Sequence, residues 1–183
     1  MNWIPPAALA ALLVAFPAAA QQKIVPAQSS IRFVTKQMGV AVEGQFKRFD
    51  ATVAFDPAKP EATKAEFEVD LGSIDFGHAE AETEAKRKGW LDVATFPKAR
   101  FVASGVKPLG GGKYEARGTL SIKGTSREVV APFSLAESAG MRVVEGQFPL
   151  KRLQYKIGEG AWSDTDTVAD EVVVRFRFAM PAR

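Results

Sequence analysis

Apolar and polar residues alternate with a period of two over most of the chain from Ser30 onward. In the segment KAEFEVDL, residues 64–71, the apolar side chains fall on one face and the charged ones on the other. Successive side chains of a strand point to opposite faces, so this pattern predicts a strand with one buried face. Similar patterns occur in the following segments: YEARGTLSI (114–122), DEVVVRFRF (170–178), 31–38, 44–55, 98–106, 128–136 and 143–150. We predict about eight strands.

The segments between these strands are short and rich in turn-forming residues, as in GGGK at 110–113 and KGTSR at 123–127. Strands joined in this way pair as antiparallel hairpins. A meander of eight strands either closes into a barrel or folds over into a sandwich. Closure removes exposed strand edges, and we therefore favour an all-β, eight-stranded antiparallel β-barrel. A phase shift between Phe46 and Phe49 predicts a bulge.

The segment GHAEAETEAKRKGWLDVATFP, residues 77–97, interrupts the alternation. Its glutamates come early and its basic residues late, a distribution that favours a helix over 79–88, ended by Gly89. Such a polar helix has too few apolar side chains to form a core element. We predict a short helix between the third and fourth strands that lies across the barrel mouth as a cap or lid. The residues assigned to this mouth are His78, Lys86, Arg87, Trp90 and Leu91.

Length and composition indicate one folded domain. The chain has 183 residues, of which 46% are hydrophobic and 25% charged, as in ordinary globular proteins. The net charge is +3, and the lysines and arginines are spread along the chain. This distribution argues against a dedicated nucleic-acid surface, which gathers basic residues on one face. Attraction to an anionic lipid surface remains open.

The first 20 residues have the features of an export signal. AALAALLVAF at 7–16 has the length of a signal-peptide core, and AAA at 18–20 fits the small-residue cleavage rule. We predict cleavage after Ala20, a mature domain over 21–183 and a periplasmic location. The stretch MNWIPP contains no lysine or arginine, which leaves an uncleaved anchor as the alternative. The sequence has no cysteine, which excludes disulfides, thiolate metal sites and a lipid-modified cysteine.

No group of residues has the pattern of a catalytic or metal site. His78 is the only histidine, whereas nucleophilic and metal sites need partner residues. The acidic stretch SDTDTVADE, residues 163–171, could attract calcium but lacks the glycine and the terminal glutamate of an EF-hand loop. We interpret it as a solvated loop, and we assign no catalytic residue, no metal and no cofactor other than a bound lipid.

The chain contains 13 phenylalanines, many of them on the apolar faces of predicted strands. They could form an ordinary packed core, or together they could line a tunnel for a long apolar ligand. The positions predicted for the tunnel wall are Phe33, Phe46, Phe55, Phe67, Val69, Phe101, Leu120, Phe133, Phe148 and Phe176.

Three segments resemble the YceI-like family of polyisoprenoid- or lipid-binding periplasmic proteins. They are SSIRFVTKQMGVAVEGQFKRFDATVAFDPAKPEATKAEFEVDLGSID at 29–75, WLDVATFPKARFVASGV at 90–106 and KYEARGTLSIKGTSREV at 113–129. The resemblance extends from about Ser30 to Met180. It implies an elongated lipocalin-like barrel with a hydrophobic tunnel that holds the isoprenoid tail of a quinone or polyprenyl phosphate, or a fatty-acid-type chain. It implies no catalytic residues and no metal.

One segment departs from the family pattern. Many members carry an arginine-aspartate pair followed by histidine and leucine, where this chain has Ala81, Glu82, Glu84 and Ala85. The preference for a head group therefore does not carry over. Glutamates would repel a diphosphate, and Lys86, Arg87 or Arg48 could compensate.

These observations leave three classes of function. The first is a periplasmic carrier for a long-chain isoprenoid lipid such as a quinone. The second is a partner module that docks on a membrane cytochrome or another envelope protein, and a homodimer also stays open. The third is an enzyme such as a lipid hydrolase, for which the sequence shows no dedicated residues.

Overall fold

The structure, a computed structural model, describes residues 21–56 and 58–182. The predicted signal peptide, residues 1–20, lies outside the described residues. Within them, no helix combines the length and the apolarity that crossing a membrane requires.

The described residues form an antiparallel sheet of eleven strands and one α-helix. The strands are β1 (Gln22–Lys23), β2 (Ser30–Gln37), β3 (Val40–Phe46), β4 (Phe49–Ala54), β5 (Lys64–Asp70), β6 (Ile74–Asp75), β7 (Lys98–Gly110), β8 (Lys113–Ile122), β9 (Thr125–Ser138), β10 (Met141–Lys151) and β11 (Glu171–Pro181). The helix is α1 (Ala79–Ala85). Short 3-10 helices occupy Pro26–Gln28, Pro60–Ala62, Leu71–Ser73, Arg152–Tyr155 and Gly160–Ser163.

The sheet is curled, so that the segment after its first strand reaches back to β11. The strands pair in the order β1-β4-β5-β7-β8-β9-β10-β11-β2-β3-β6, and every pair is antiparallel. Next to β1, the Val25 N–H donates to the Ala179 carbonyl of β11 over 2.7 Å. At the opposite end, the Lys47 N–H donates to the Ser73 carbonyl over 3.1 Å. The prediction of an all-β, antiparallel fold with one helix is confirmed.

The predicted count of eight strands is wrong, because the structure has eleven. The segment 44–55 was expected to be one strand with a bulge, but its chain breaks at Lys47 and Arg48 into β3 and β4. There Ser73 replaces a sheet partner, since its hydroxyl accepts from the Arg48 N–H over 3.0 Å. The two further strands, β1 and β6, have two residues each, too few to produce a visible alternation.

The α-helix is shorter than predicted and follows a different strand. It ends at Ala85 rather than at residue 88, and it lies between β6 and β7 instead of between the third and fourth of eight strands. A turn follows directly, in which the Arg87 N–H donates to the Glu84 carbonyl and the Trp90 N–H to the Arg87 carbonyl.

Two clusters of buried apolar side chains lie at different places inside the curled sheet. One includes Leu71, Leu91 and Tyr155 and lies beneath the helix. The other includes Ile24, Val53, Phe178 and Met180 and lies near β1 and the end of β11. The space between and beside these clusters contains the candidate site.

Candidate functional site: an apolar tunnel

The interior of the curled sheet is partly hollow. Phe67, Phe101, Val174 and Phe176 point to the inside of the sheet yet are only half-buried. An inward side chain that retains exposed surface must border empty space rather than close-packed neighbours.

The first cavity encloses about 160 Å³ between β4, β5, β7, β8, β9, β10 and β11. The surface of this cavity is apolar, although two inward side chains with polar groups, Thr63 and Arg142, belong to its lining. The Thr63 hydroxyl donates to the Pro60 carbonyl over 2.6 Å and is therefore satisfied. The apolar wall consists of Ile31, Val53, Phe55, Ala65, Phe67, Val69, Ala99, Phe101, Ala103, Val106, Ala116, Leu120, Ala131, Phe133, Leu135, Val144, Phe148, Val174, Phe176, Phe178 and Met180.

The second cavity encloses about 190 Å³ on the side of the helix. Ala85, Trp90 and Leu91 form one part of its wall, and Phe33, Phe46 and Phe76 form another. Phe33 packs against Phe46 with ring centroids 5.5 Å apart and against Phe76 at 5.4 Å.

The two cavities adjoin at a waist. Six side chains line both of them, and four of the six are buried. These waist residues are Ile31, Val69, Ala99, Leu120, Phe148 and Val174. The two cavities share this wall on the inside of the sheet, and we call them together the tunnel.

Two glycines allow phenylalanine rings to lie flat on the tunnel wall. Gly44 is the strand partner of Phe33, and Gly146 is the strand partner of Phe176. A Cβ atom built on Gly44 would lie 2.3 Å from the Phe33 ring, and one on Gly146 would lie 2.5 Å from the Phe176 ring. Because no side chain occupies these places, the rings cover the sheet instead of filling the tunnel.

Strand β10 carries a buried arginine at each end of its inward face. Its inward positions begin with Arg142 and continue in phase to Arg152, just past the end of the strand. Arg142 lines the first cavity and Arg152 the second. The rise of a strand is about 3.3 Å per residue, so the tunnel between these arginines spans roughly 30 Å.

Arg152 is 2% exposed and is held by backbone carbonyls. All five of its N–H groups donate, at 2.7 to 3.1 Å, to the carbonyls of Ile157, Gly158, Trp162, Val168 and Ala169. Removal from water lowers the pKa of the guanidinium, a shift that the nearby Asp170 opposes. Arg152 thereby fixes the segment 157–169 over the end of the second cavity.

The ten residues predicted for the tunnel wall all border one cavity or the other. Phe55, Phe67, Phe101, Phe133 and Phe176 border the first, Phe33 and Phe46 border the second, and Val69, Leu120 and Phe148 border both. Their contact with a ligand stays a prediction.

The five residues predicted for the mouth do not come together. Trp90 and Leu91 line the second cavity. His78 is exposed at the start of α1, Arg87 is exposed and paired with Glu84 at 2.8 Å, and neither they nor Lys86 border a cavity.

The acidic stretch forms a structured loop. Asp164 accepts from the Asp166 N–H and from the Thr167 hydroxyl, bonds that lower the pKa of its carboxyl. Asp170 accepts from the Leu153 N–H over 3.0 Å. No group of three or more histidine, aspartate or glutamate side chains within the described residues is arranged to hold a metal ion.

Sequence reasoning missed both buried arginines, although a signal was present. Arg142 and Arg152 have the same parity as Val144, Gly146, Phe148 and Leu150, which face inward. The predicted strand covers residues 143–150, so it begins one residue after Arg142 and ends two residues before Arg152.

Known proteins are similar to this chain over most of its length. A model of the YceI-like domain family matches residues 22–180. A UPF0312 protein from Pseudomonas savastanoi is 38% identical over 89 residues, which are 49% of this chain and 46% of that protein. The chain thus spans about half the length of the curated relatives it matches.

Solved structures share the fold. BcnA from Burkholderia cenocepacia is 39% identical and superposes with a TM-score of 0.83 over 85% of this chain and 98% of BcnA. A polyisoprenoid-binding domain from Saccharophagus degradans, implicated in plant cell wall breakdown, has a TM-score of 0.71 at 17% identity. It covers 90% of this chain and 99% of that domain. At this low identity, the similarity to the second structure shows the fold alone.

Proposed function

The chain belongs to the YceI-like family, and from this premise we propose that it binds one long-chain isoprenoid lipid in its tunnel and carries or stores it in the bacterial periplasm. The lipid would be a quinone, a polyprenyl phosphate or a related molecule. Its tail would extend through both cavities and contact the phenylalanine side chains.

The observation that carries this proposal is the length and apolarity of the tunnel. It spans roughly 30 Å between Arg142 and Arg152. The hydrocarbon core of a bilayer is about as thick and contains two opposed acyl chains, so one such chain covers about half that distance. A tunnel of this length therefore suits an isoprenoid of many units better than a single fatty acid.

Burial of the tail supplies the binding free energy in this proposal. Each methylene removed from water contributes about 0.8 kcal/mol, and the loss of translational and chain freedom offsets part of that sum. Tight binding therefore needs no catalytic or charged group along the wall. The Saccharophagus degradans domain, which is named for polyisoprenoid binding, supports this type of ligand by its shared fold.

A series of isoprenols of increasing length tests the proposal. Two tryptophans lie in the described residues, Trp90 on the second cavity and Trp162 with its ring centroid 5.5 Å from that of Trp90. Their emission should change when a tail fills the second cavity. We expect the affinity to rise by at least about tenfold per isoprene unit until the tunnel is full. Affinity that is independent of length would contradict the proposal.

We propose binding rather than catalysis. His78 is exposed, and its side chain makes no hydrogen bond at the start of α1. Turnover of a lipid ester that is lost on His78→Ala, with the fold intact, would contradict this part of the proposal.

We propose export on the basis of residues 1–20, which lie outside the described residues. The periplasmic protein should have the mass of a chain that begins at Gln21. An uncleaved chain in the membrane fraction would contradict the periplasmic assignment.

A second candidate function is docking on a membrane cytochrome or another envelope protein. Met38 and Val40 are 73% and 68% exposed at the tip of the β2–β3 hairpin, and exposed apolar residues of this kind can serve an interface. Capture of a partner that is lost on Met38→Ser with Val40→Ser, and that ignores lipid occupancy, would favour docking alone.

A further inference from the structure

The described chain buries three cationic side chains, and two of them bond mainly to the surrounding chain. The five N–H groups of Arg152 all donate to backbone carbonyls. The Lys123 ammonium donates to the Lys156 carbonyl over 2.5 Å and to Glu159 over 3.3 Å. Arg142, the third cation, has unused hydrogen-bonding capacity.

Arg142 is fixed in place with one edge unoccupied. Its Nε and Nη2 atoms both contact Glu137 Oε1, at 2.7 and 2.6 Å, and its guanidinium lies 5.4 Å from the centre of the Phe55 ring. Within residues 21–56 and 58–182, no acceptor bonds to Nη1. Glu137 and Phe55 thus hold the guanidinium in a fixed position, and its Nη1 group can donate a hydrogen bond to a further acceptor.

Among the described residues, Arg142 is the one cation on the inner face of the sheet at the first cavity, where its aliphatic stem lines the wall and its guanidinium lies at the edge of the cavity beside Glu137. Arg100 also borders this cavity, but its side chain lies on the outer face of the sheet, paired with Glu66 at 2.6 Å. The Arg142 side chain is only 7% exposed. Burying a guanidinium against an apolar wall is costly unless it is fully compensated, and Glu137, 48% exposed, compensates one edge.

The exposure of Glu137 shows that the Arg142 end of the tunnel is close to water. Glu137 is half-exposed next to Arg142, whereas Leu91, Arg152 and Val168 at the other end are all buried. A lipid keeps its polar head near solvent and places its tail in the interior. The edge of the first cavity at Arg142 and Glu137 therefore suits the head, and the interior beyond it suits the tail.

We propose that Arg142 binds the anionic head group, a phosphate or a carboxylate, of the lipid in the tunnel. This inference rests on the proposed function and narrows its ligand to lipids with an anionic head. The oxygen atoms of the head accept from Nη1 and from the second N–H of Nη2, and the tail runs past the waist toward α1. Lys86 and Arg87, expected from the sequence to meet the head group, lie away from both cavities.

Matched ligands with the same tail test this inference. Farnesol and farnesyl phosphate differ only in the head, and palmitic acid and its methyl ester make the same comparison for a carboxylate. The native protein should prefer the anion by roughly ten- to a hundredfold, the range of charge-assisted hydrogen bonds. The pair with the larger preference identifies phosphate or carboxylate as the natural head.

Two variants with opposite expected effects test whether the preference for an anionic head arises at Arg142. Arg142→Met should remove it while farnesol binds within about twofold of the native protein, because the tail contacts remain. Glu137→Gln should increase the preference, because the competing carboxylate is neutralised while the oxygen that accepts from Arg142 is kept. Arg117→Met is the matched control, an exposed arginine paired with Glu128 at 3.1 Å that borders neither cavity, and should change nothing.

The outcomes separate this inference from the proposed function. If farnesol binds but neither Arg142→Met nor Glu137→Gln changes the preference, the head-group site is wrong and the tunnel stands. If Lys86→Met with Arg87→Met removes the preference instead, the head lies at the helix and the inference is overturned. If no isoprenoid of any length binds, the proposed function fails and this inference with it.

Discussion

At the scale of single residues, the two arginines of β10 show how one residue type serves two purposes. All five N–H groups of Arg152 donate to backbone carbonyls of the 157–169 segment and hold that segment in place. Trp90 lies over it, with its ring centre 5.6 Å from the guanidinium carbon. Arg142, by contrast, is bound on one edge only.

Arg152→Met should destabilise the protein strongly. The substitution removes a buried donor and leaves five carbonyls without their bonds, which should lower the free energy of unfolding by about 3 kcal/mol or more. Urea unfolding measures this change.

Arg117→Met is the control for that prediction. The Arg117 side chain is 59% exposed and paired with Glu128 at 3.1 Å, so its loss should cost less than about 1 kcal/mol. Equal effects of the two substitutions would show that Arg152 does not anchor the segment.

The wall residues were predictable from the sequence, whereas the arginines were not. Phe67, Phe101 and Phe176 are apolar on the apolar face of a strand, so alternation alone orients them. Arg142 and Arg152 break the rule that charged side chains face water, and their role depends on partners far along the chain. Only the parity of β10 pointed to them.

At the scale of elements, pairs of glycine and phenylalanine on adjacent strands keep the interior open. Gly44 on β3 faces Phe33 on β2, so the ring lies across the sheet. The sequence showed Gly44 and Phe33 separately, but which strands pair, and in which register, was not readable from it.

Gly44→Ala should therefore shorten the usable tunnel. The new methyl group would overlap the end of the Phe33 ring, which must move into the second cavity, at a cost of about 1–3 kcal/mol in stability. We expect the longest isoprenols to lose affinity while short ones bind as before, in the same emission assay.

Gly105→Ala is the matched control on β7. A Cβ atom there would meet only the Glu61 carbonyl, at 3.9 Å, so the ligand profile should not change. A Gly44→Ala variant with the native length profile would contradict the role assigned to the pair.

The Asp75 side chain joins three elements around the start of the helix. It accepts from Gln45 Nε2 over 2.9 Å, from Lys47 Nζ over 3.1 Å and from the Gly77 N–H over 3.1 Å. These bonds, that from Gln45 first, lower the pKa of Asp75 from its ordinary value of 3.8 to about 2. The ionised carboxylate thus links β3, β6 and the turn into α1.

The stability that Asp75 contributes should depend on pH. Its pKa is lower in the folded state than in the unfolded state, so the contribution is present above about pH 4 and is lost as the pH falls toward about 2. The difference in unfolding free energy between the native protein and Asp75→Asn should therefore shrink across that interval. A difference that stays constant from pH 6 to pH 2 would contradict this account.

The break between β3 and β4 is the feature that the sequence pattern predicted least well, as a bulge within one strand. Alternation resumed after Phe49 with a shifted phase, and a bulge explains such a shift as well as a break does. The strand breaks here because Ser73 accepts hydrogen bonds from the backbone N–H groups of Lys47 and Arg48. Ser73 lies more than 20 residues away along the chain, so a local pattern does not reveal it.

At the scale of the whole molecule, the waist separates the first cavity of the tunnel from the second. Ala99 is a small waist residue, 6% exposed, paired with Val69. Any tail that reaches from Arg142 to the helix must pass it.

Ala99→Leu should block that passage. The larger side chain extends into the waist, so binding of isoprenols longer than the first cavity should fall by about tenfold or more while short ones still bind. Ala103→Leu on the same strand, which borders only the first cavity, is the control and should not impose this length limit. Identical profiles for the two variants would mean that the tail does not cross the waist.

Native mass spectrometry of the protein purified from the periplasm without detergent tests the central claim most directly. We predict one lipid per chain, which organic extraction identifies as an isoprenoid with a tail long enough to pass the waist. A protein that emerges empty, and that takes up no isoprenoid of any length afterwards, would contradict the account and leave the phenylalanines as ordinary core.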